Sequence, residues 1–218
     1  MANVTIGGFR AVGTLSGGPL PTPLIRPVAN NYGTQLNKGD WIIPVSDGTV
    51  AQAAANSTIL LGVINACSFI QAGGAFTGRR TMSDFIPAST TFSPTTVGSP
   101  NESLVSYIPG TADVIWEVDL NGTTSNTVAG RLGLMGENCN LVITGTPSTT
   151  IGNSCMFLDD SSHATTAAQF RIIGVPGYSL ENGLDITQAG MGDPTLSHCK
   201  ALVTLNQGWL PPYTTSGT

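Results

Sequence analysis

Gly73-Gly74-Ala75-Phe76-Thr77-Gly78 spaces its outer glycines as a phosphate-binding loop does, but Arg79 and Arg80 follow. Such a loop needs a Lys for the β- and γ-phosphates and a Ser or Thr for magnesium, so the stretch reads as a surface loop. Gly152-Asn153-Ser154-Cys155-Met156 comes close to a nucleophile elbow. Met stands where its last glycine belongs, and a strand-like segment follows where the elbow requires a helix. The histidines are His163, in a Ser/Thr/Ala loop, and His198, just before the last strand; both read as structural or solvent-facing rather than as triad bases. Asp159-Asp160 would point to opposite faces of a strand, so a turn is their expected home. Glu117 and Asp119 share a strand face, but without an aromatic groove for a sugar they read as solvated carboxylates. Cys67, Cys139, Cys155 and Cys199 are far apart and form no Cys-x-x-Cys. They read as buried free thiols, so neither a metal nor a cofactor is expected.

The elements that would carry these residues are β-strands. Trp41-Ile42-Ile43-Pro44-Val45, the turn Ser46-Asp47-Gly48 and the run from Thr49 predict a hairpin, with Leu60-Leu61-Gly62-Val63-Ile64 as a third strand. Asp-Gly between β-prone runs suits a tight turn, since left-handed backbone is cheap for Gly and tolerable for Asp. Ala66–Ile70 and Leu104–Ile108 read as further strands. In Asp113–Leu120, Val114, Trp116, Val118 and Leu120 fall on one face and Asp113, Glu117 and Asp119 on the other. That alternation is a half-buried strand, with Asn121-Gly122 as its turn. Asn140–Ile143, Cys155–Leu158, Gln169–Val175 and Lys200–Asn206 supply the rest, while Thr127–Met135 fits a short helix or a loop. Trp116 and Trp41 therefore read as core, leaving Trp209 as a contact residue. No repeat of fixed period is visible.

Residues 1–33 show no sustained alternation but carry Pro19, Pro21, Pro23 and Pro27. Proline restricts its own φ and the residue before it, so this segment reads as an extended N-terminal arm with little to pack on in its own domain. The expected architecture is all-β: the arm over 1–33, a small antiparallel β-barrel-like unit over 34–110, and a second, sandwich-like β unit over 111–218 with an extended C-terminal tail.

Only 10% of the 218 residues are charged, against 40% hydrophobic, so much of the surface is expected to be covered by neighbours. A net charge of −5 argues against nucleic acid, whose binding needs a basic face. No apolar run reaches membrane-span length and the N-terminus lacks signal-peptide features, so neither a membrane nor a secretory route is expected.

Met1-Ala2-Asn3, Gly8-Phe9-Arg10-Ala11-Val12 and Leu15-Ser16-Gly17-Gly18 resemble the opening of tailed-bacteriophage capsid decoration, or cement, proteins. The resemblance continues through Gly39-Asp40, Asp47-Gly48, Leu61-Gly62-Val63, Asp113–Val118, Ile151–Ser154, Leu158-Asp159, Arg171–Gly174 and Ala201–Asn206. Ala11 replaces a usual Pro, and Asn206-Gln207-Gly208 replaces a usual Asn-x-His. What the resemblance implies is a non-enzymatic structural protein, made in the bacterial host cytoplasm and carried on the virion's capsid surface. It would be a homo-oligomer, commonly a trimer, fastening subunits of the major capsid protein. Phe9, Arg10, Leu24, Ile25 and Arg26 of the arm, with Trp209, are then the candidate capsid contacts. A carbohydrate-binding β module and a tail or baseplate protein are the alternatives.

Overall fold

The computed structural model describes residues 7–55, 57–72, 78–92, 103–121, 130, 133–145, 147, 152–164, 168–174 and 200–206. The described elements are strands, as expected of an all-β chain: β1 (Arg10–Thr14), β2 (Leu24–Pro27), β3 (Leu36–Asn37), β4 (Trp41–Pro44), β5 (Val50–Gln52), β6 (Gly62–Ile70) and β7 (Arg80–Ser83). Then come β8 (Phe85–Ile86), β9 (Leu104–Pro109), β10 (Val114–Asp119), β11 (Asn138–Ile143), β12 (Met156–Ala164), β13 (Phe170–Gly174) and β14 (Lys200–Leu205). One sheet runs β2-β9-β6-β4-β5 with β7 beside the far half of β6; a second runs β1-β10-β14-β13-β11-β12; β3 and β8 form a small third.

The two larger sheets share one connectivity. Leaving β1 and β7 aside, in each the first strand in chain order pairs with the last, the last with the fourth, the fourth with the second and the second with the third, all antiparallel. In each, the residue just past the first strand makes a parallel bridge to the third, Val28 to Val50 and Leu120 to Leu158. Each sheet thus curls towards a barrel without closing into one.

Equivalence extends to single hydrogen bonds. Gly39 N donates to Ile64 O and Gly136 N to Ile172 O, both at 2.9 Å; Ile64 N donates to Asp40 O at 2.9 Å and Ile172 N to Glu137 O at 3.0 Å. Gly39 and Gly136 both have positive φ, 92° and 86°, in turns closed by Asp40 N to Asn37 O and Glu137 N to Leu134 O. The fourth strand of each carries its register break at the same place, between Ile64 and Ala66 and between Ile172 and Gly174. We call these sheets the first and second modules.

Several elements differ from expectation. The β4–β5 hairpin forms, but Asp47 is not left-handed. Gly48 alone takes positive φ, 86°, while Gly48 N donates to Val45 O and Val45 N to Thr49 O. This is a three-residue loop with a glycine bulge, in which the Asp47 carboxylate accepts from Thr49 N and Thr49 Oγ1. Ile64 and Ala66 belong to one strand bulged at Asn65. Asp159 and Asp160 lie in strand β12, not in a free turn; yet turn chemistry persists, because two steps of β11 oppose five of β12 and Asp159 accepts from Ser161 and Ser162. A helical hydrogen bond, Leu134 N to Gly130 O, lies within Thr127–Met135.

The larger correction concerns the arm. Its described part is integrated into the body: Gly7 N donates to Ser154 O and Gly8 N to Met156 O, β1 pairs with β10, and β2 pairs with β9. Prolines placed every second residue looked like an arm without a sheet, whereas a strand at a sheet edge tolerates them on its outer side.

Val28, Leu36, Ile42, Val50, Ile64, Cys67, Phe69, Ile86, Phe92, Val105 and Tyr107 form the core of the first module. The second module's core, with Val114, Trp116, Val118 and Leu120 on one face of β10 as anticipated, also takes in Phe9, Trp41, Ala53, Leu60 and Val63. Trp41 crosses from the first module to meet Trp116 at 5.0 Å and Phe170 at 5.2 Å between ring centroids, which joins the two modules through an aromatic cluster.

Candidate functional site

A cleft of about 530 Å³ opens where the modules meet. Arg10 from β1, Lys38 from the turn before β4, Asn65 from the β6 bulge, Glu117 and Asp119 from β10 and Lys200 from β14 contribute to its polar lining, along with Asp84, Asn153 and Ser154. Alternation on β10 puts Glu117 opposite the buried Trp116 face, and the antiparallel register brings the β1 and β14 cations to it. Glu117 Oε1 accepts from Arg10 Nη2 at 2.9 Å and from Lys200 Nζ at 2.7 Å. Burial favours its neutral form, but the hydrogen bonds and charges of Lys200 and Arg10 prevail and hold its pKa below the ordinary carboxylate value. Glu117 is thus ion-paired rather than merely solvated, and a low-pKa carboxylate is a poor proton donor near neutral pH. Lys38 faces Asp84 at 3.7 Å, with both side chains mostly exposed.

Behind the cleft lies a buried polar network that the sequence reading missed. Asp40 is fully buried; its Oδ2 accepts from Asn37 N at 2.8 Å, Gln52 Nε2 at 2.9 Å and Asn37 Nδ2 at 3.2 Å. Gln35 Nε2 in turn donates to Asn37 Oδ1. The buried Ser154 hydroxyl also lies against the Asp40 carboxylate and favours its charged form. Burial raises the Asp40 pKa to about 6, and its hydrogen bonds only partly offset this. Gln169, also buried, ties the modules together: its Oε1 accepts from Leu141 N and its Nε2 donates to Ser57 O. In sequence, Asp40 looked like a turn residue and Gln169 like the start of a strand, and neither position signals burial.

The chemical candidates do not assemble. Ser154 is buried, with its Oγ accepting from Met156 N at 3.1 Å. His163 Nδ1 contacts Asp160 O at 2.8 Å, a local contact within β12. Burial raises the Cys67 and Cys139 thiols to about 12, with nearby carboxylates adding to the effect, and raises Cys155 as well. These three cysteines are buried and free, and thiols so far from ionisation are inert. Among the described residues no group of three His, Cys, Asp or Glu could hold a metal ion. Trp41 and Trp116 are fully buried and offer no sugar platform. His198, Cys199, Trp209, the C-terminal tail, Gly122 and residues 73–77 lie outside the described residues.

Of the candidate contacts, Phe9 is corrected. It is 4% exposed, packed on Trp41 and Phe170, because Phe9 N is fixed to Gly39 O and its ring fills the space between the modules. Arg10 remains exposed at the cleft, while Leu24, Ile25 and Arg26 are exposed on β2. Val12, Leu15, Leu20, Leu24 and Ile25 place five exposed large apolar side chains within one short stretch. The cleft offers mixed charges with Leu20 on its wall, while Val12, Leu15, Leu24 and Ile25 are exposed apolar side chains on and beside the edge strands β1 and β2. No family model matches the chain, and neither the curated proteins nor the solved structures contain a match to it.

Proposed function

We propose that this protein is a non-enzymatic phage structural component that decorates the outside of a capsid and fastens neighbouring major capsid protein subunits, acting as a homo-oligomer. The observation that carries the reading is the concentration of exposed apolar side chains between Val12 and Ile25 on a chain otherwise poor in charge. Exposed apolar side chains concentrated in one stretch fit a surface that a partner covers. Attachment is through the exposed side chains of this stretch, which β1 and β2 hold in place by pairing with β10 and β9. Several copies in one oligomer turn modest contacts into a durable attachment, since each bound copy raises the effective concentration of the next.

Deleting residues 1–33 would remove β1 and Phe9 and damage the second module, so substitutions are the cleaner test. A Leu15→Ser, Leu20→Ser, Ile25→Ser variant is mixed with undecorated heads assembled from the cognate major capsid protein, and co-sedimentation is measured. Occupancy falling by about tenfold or more at fixed concentration is expected for loss of a few buried aliphatic contacts. A folded variant that decorates as fully as the native protein would overturn the reading.

A further inference from the structure

The modules carry a carboxylate at one equivalent position and treat it differently. Asp40 N and Glu137 N each close the turn before their strand, while Asp40 O and Glu137 O each accept from the fourth strand, at Ile64 N and Ile172 N. Glu137 nevertheless keeps partial contact with solvent, whereas Asp40 has none. The shared fold therefore does not bury this position; two other segments of the chain do. Phe9 N donates to Gly39 O at 2.9 Å, and Gly7 N and Gly8 N donate to Ser154 O and Met156 O. Asn153 bridges Lys38, and Trp41 N donates to Met156 Sδ at 3.1 Å. The approach is close, since a Cβ on Gly8 would lie 2.9 Å from Ser154 Cβ and 3.3 Å from Gly39 Cα.

The Asp40 side chain sits where these segments meet. Its carboxylate accepts from Asn37 N, Asn37 Nδ2 and Gln52 Nε2, and the Ser154 hydroxyl lies against it; all of these groups are neutral. Ionisable groups on the surrounding elements bring it no counter-charge. Cys67 of β6 and Cys155 beside Ser154 are thiols kept neutral by burial and then by the Asp40 charge. Tyr32 is engaged by Gln52 N, and Lys38 faces Asp84 at the surface. An anion at this junction is held by neutral dipoles alone, and desolvation without a counter-ion is costly.

We infer that the Asp40 carboxyl group is a proton-operated latch: protonated, it lets Gly7–Phe9 and Asn153–Met156 close over the Asn37–Trp41 turn, and ionised, it drives those segments to open and admit water. Burial pushes its pKa to about 6 in the closed junction, against 3.8 in water, so the open form gains population as pH rises through that interval and remains favoured above it. Between pH 5 and pH 7.5 those two values give an open population about tenfold larger. The latch is a property of the isolated chain, independent of what the protein attaches to.

Hydrogen exchange read by mass spectrometry tests it, with each rate divided by the intrinsic rate at its pH. In the native protein the amides of Gly7, Gly8 and Phe9 should lose about tenfold in protection from pH 5 to pH 7.5. At pH 7.5 they should also exchange at least about tenfold faster than those of β9, which marks a local opening rather than global unfolding. Asp40→Asn should hold the segment closed at both pH values, while Glu117→Gln should leave the pH effect in place. Protection of Gly7–Phe9 that does not change with pH, protection equal to that of β9 at pH 7.5, or a pH effect that survives in a folded Asp40→Asn variant would each overturn the inference. The two measurements on native protein decide the matter should that variant not fold.

Discussion

The two modules share a strand order, a bulge position and a glycine turn, yet they are finished differently. In the second, β10 is covered by β1 at its edge and by Trp41 and Phe9 over its inner face. In the first, the equivalent strand β2 is exposed, its edge carrying prolines and its side chains Leu24 and Ile25 facing out. A shared backbone plan therefore fixes where an edge lies, while a few residues decide whether it is consumed inside the chain or left at the surface. The same holds for the glycine turns: Gly39 is pressed against Gly8, whereas Gly136 is open.

The strongest test of how the modules are joined is Trp41→Ala. Trp41 is fully buried where both cores meet, and its loss should cost about 4 kcal/mol, as large aromatic truncations do. Thermal unfolding followed by calorimetry should then show the modules melting less cooperatively; an unchanged single transition would mean that they are not joined there.

Next comes Asp40. The folded protein holds its proton up to about pH 6, whereas the ordinary value is 3.8. Its contribution to stability is therefore greatest in acid, falls as pH rises between these values and stays low above them. Asp40→Asn keeps an acceptor for Asn37 and Gln52 and removes the buried charge. It should stabilise the protein above pH 6 by up to roughly 3 kcal/mol and change little near pH 4. Glu117 has the opposite sign: its lowered pKa gives stability above the ordinary 4.5 that is lost as pH falls through the folded value. Chemical denaturation at pH 4 and pH 7.5 checks the direction of the Asp40 effect.

The glycine pair sharpens the comparison directly. Both positions have positive φ, so Ala at either costs about 1–2 kcal/mol in backbone strain. At Gly39 a Cβ would also sit 3.1 Å from Gly8 Cα and 3.4 Å from Phe9 N, while at Gly136 the nearest atom is Arg171 Nη2 at 3.9 Å. Gly39→Ala should thus be clearly the more damaging of the two in urea midpoints, and equal losses would undermine the close approach at the module junction. Smallest of all, Arg10→Ala should change stability by less than about 1 kcal/mol, since its guanidinium is largely exposed and Lys200 still pairs Glu117.

Much of this was legible in the sequence where one physical rule acts alone. Alternation in Asp113–Leu120 gave the buried face of β10, and the Asp-Gly turn gave the β4–β5 hairpin, though not its three-residue geometry. Wide cysteine spacing gave the buried thiols. The rest depended on contacts distant in sequence. Phe9 looked like a surface anchor because nothing nearby shows Trp41 and Phe170 closing over it. Prolines at 21, 23 and 27 suggested an arm, since their period matches the outer side of an edge strand only once β9 is known to lie on the other. The repeat escaped detection because the second module's hairpin, from Leu141 to Leu158, is far longer than that from Pro44 to Val50, so the offset between equivalent residues shifts along the chain.

A cryo-electron microscopy map of the particle that carries this protein tests the functional proposal most directly. The predicted result is density for the chain on the outer head surface, with the stretch from Val12 to Ile25 against the major capsid protein. The chain in the tail, or that stretch facing solvent on the head, would contradict it.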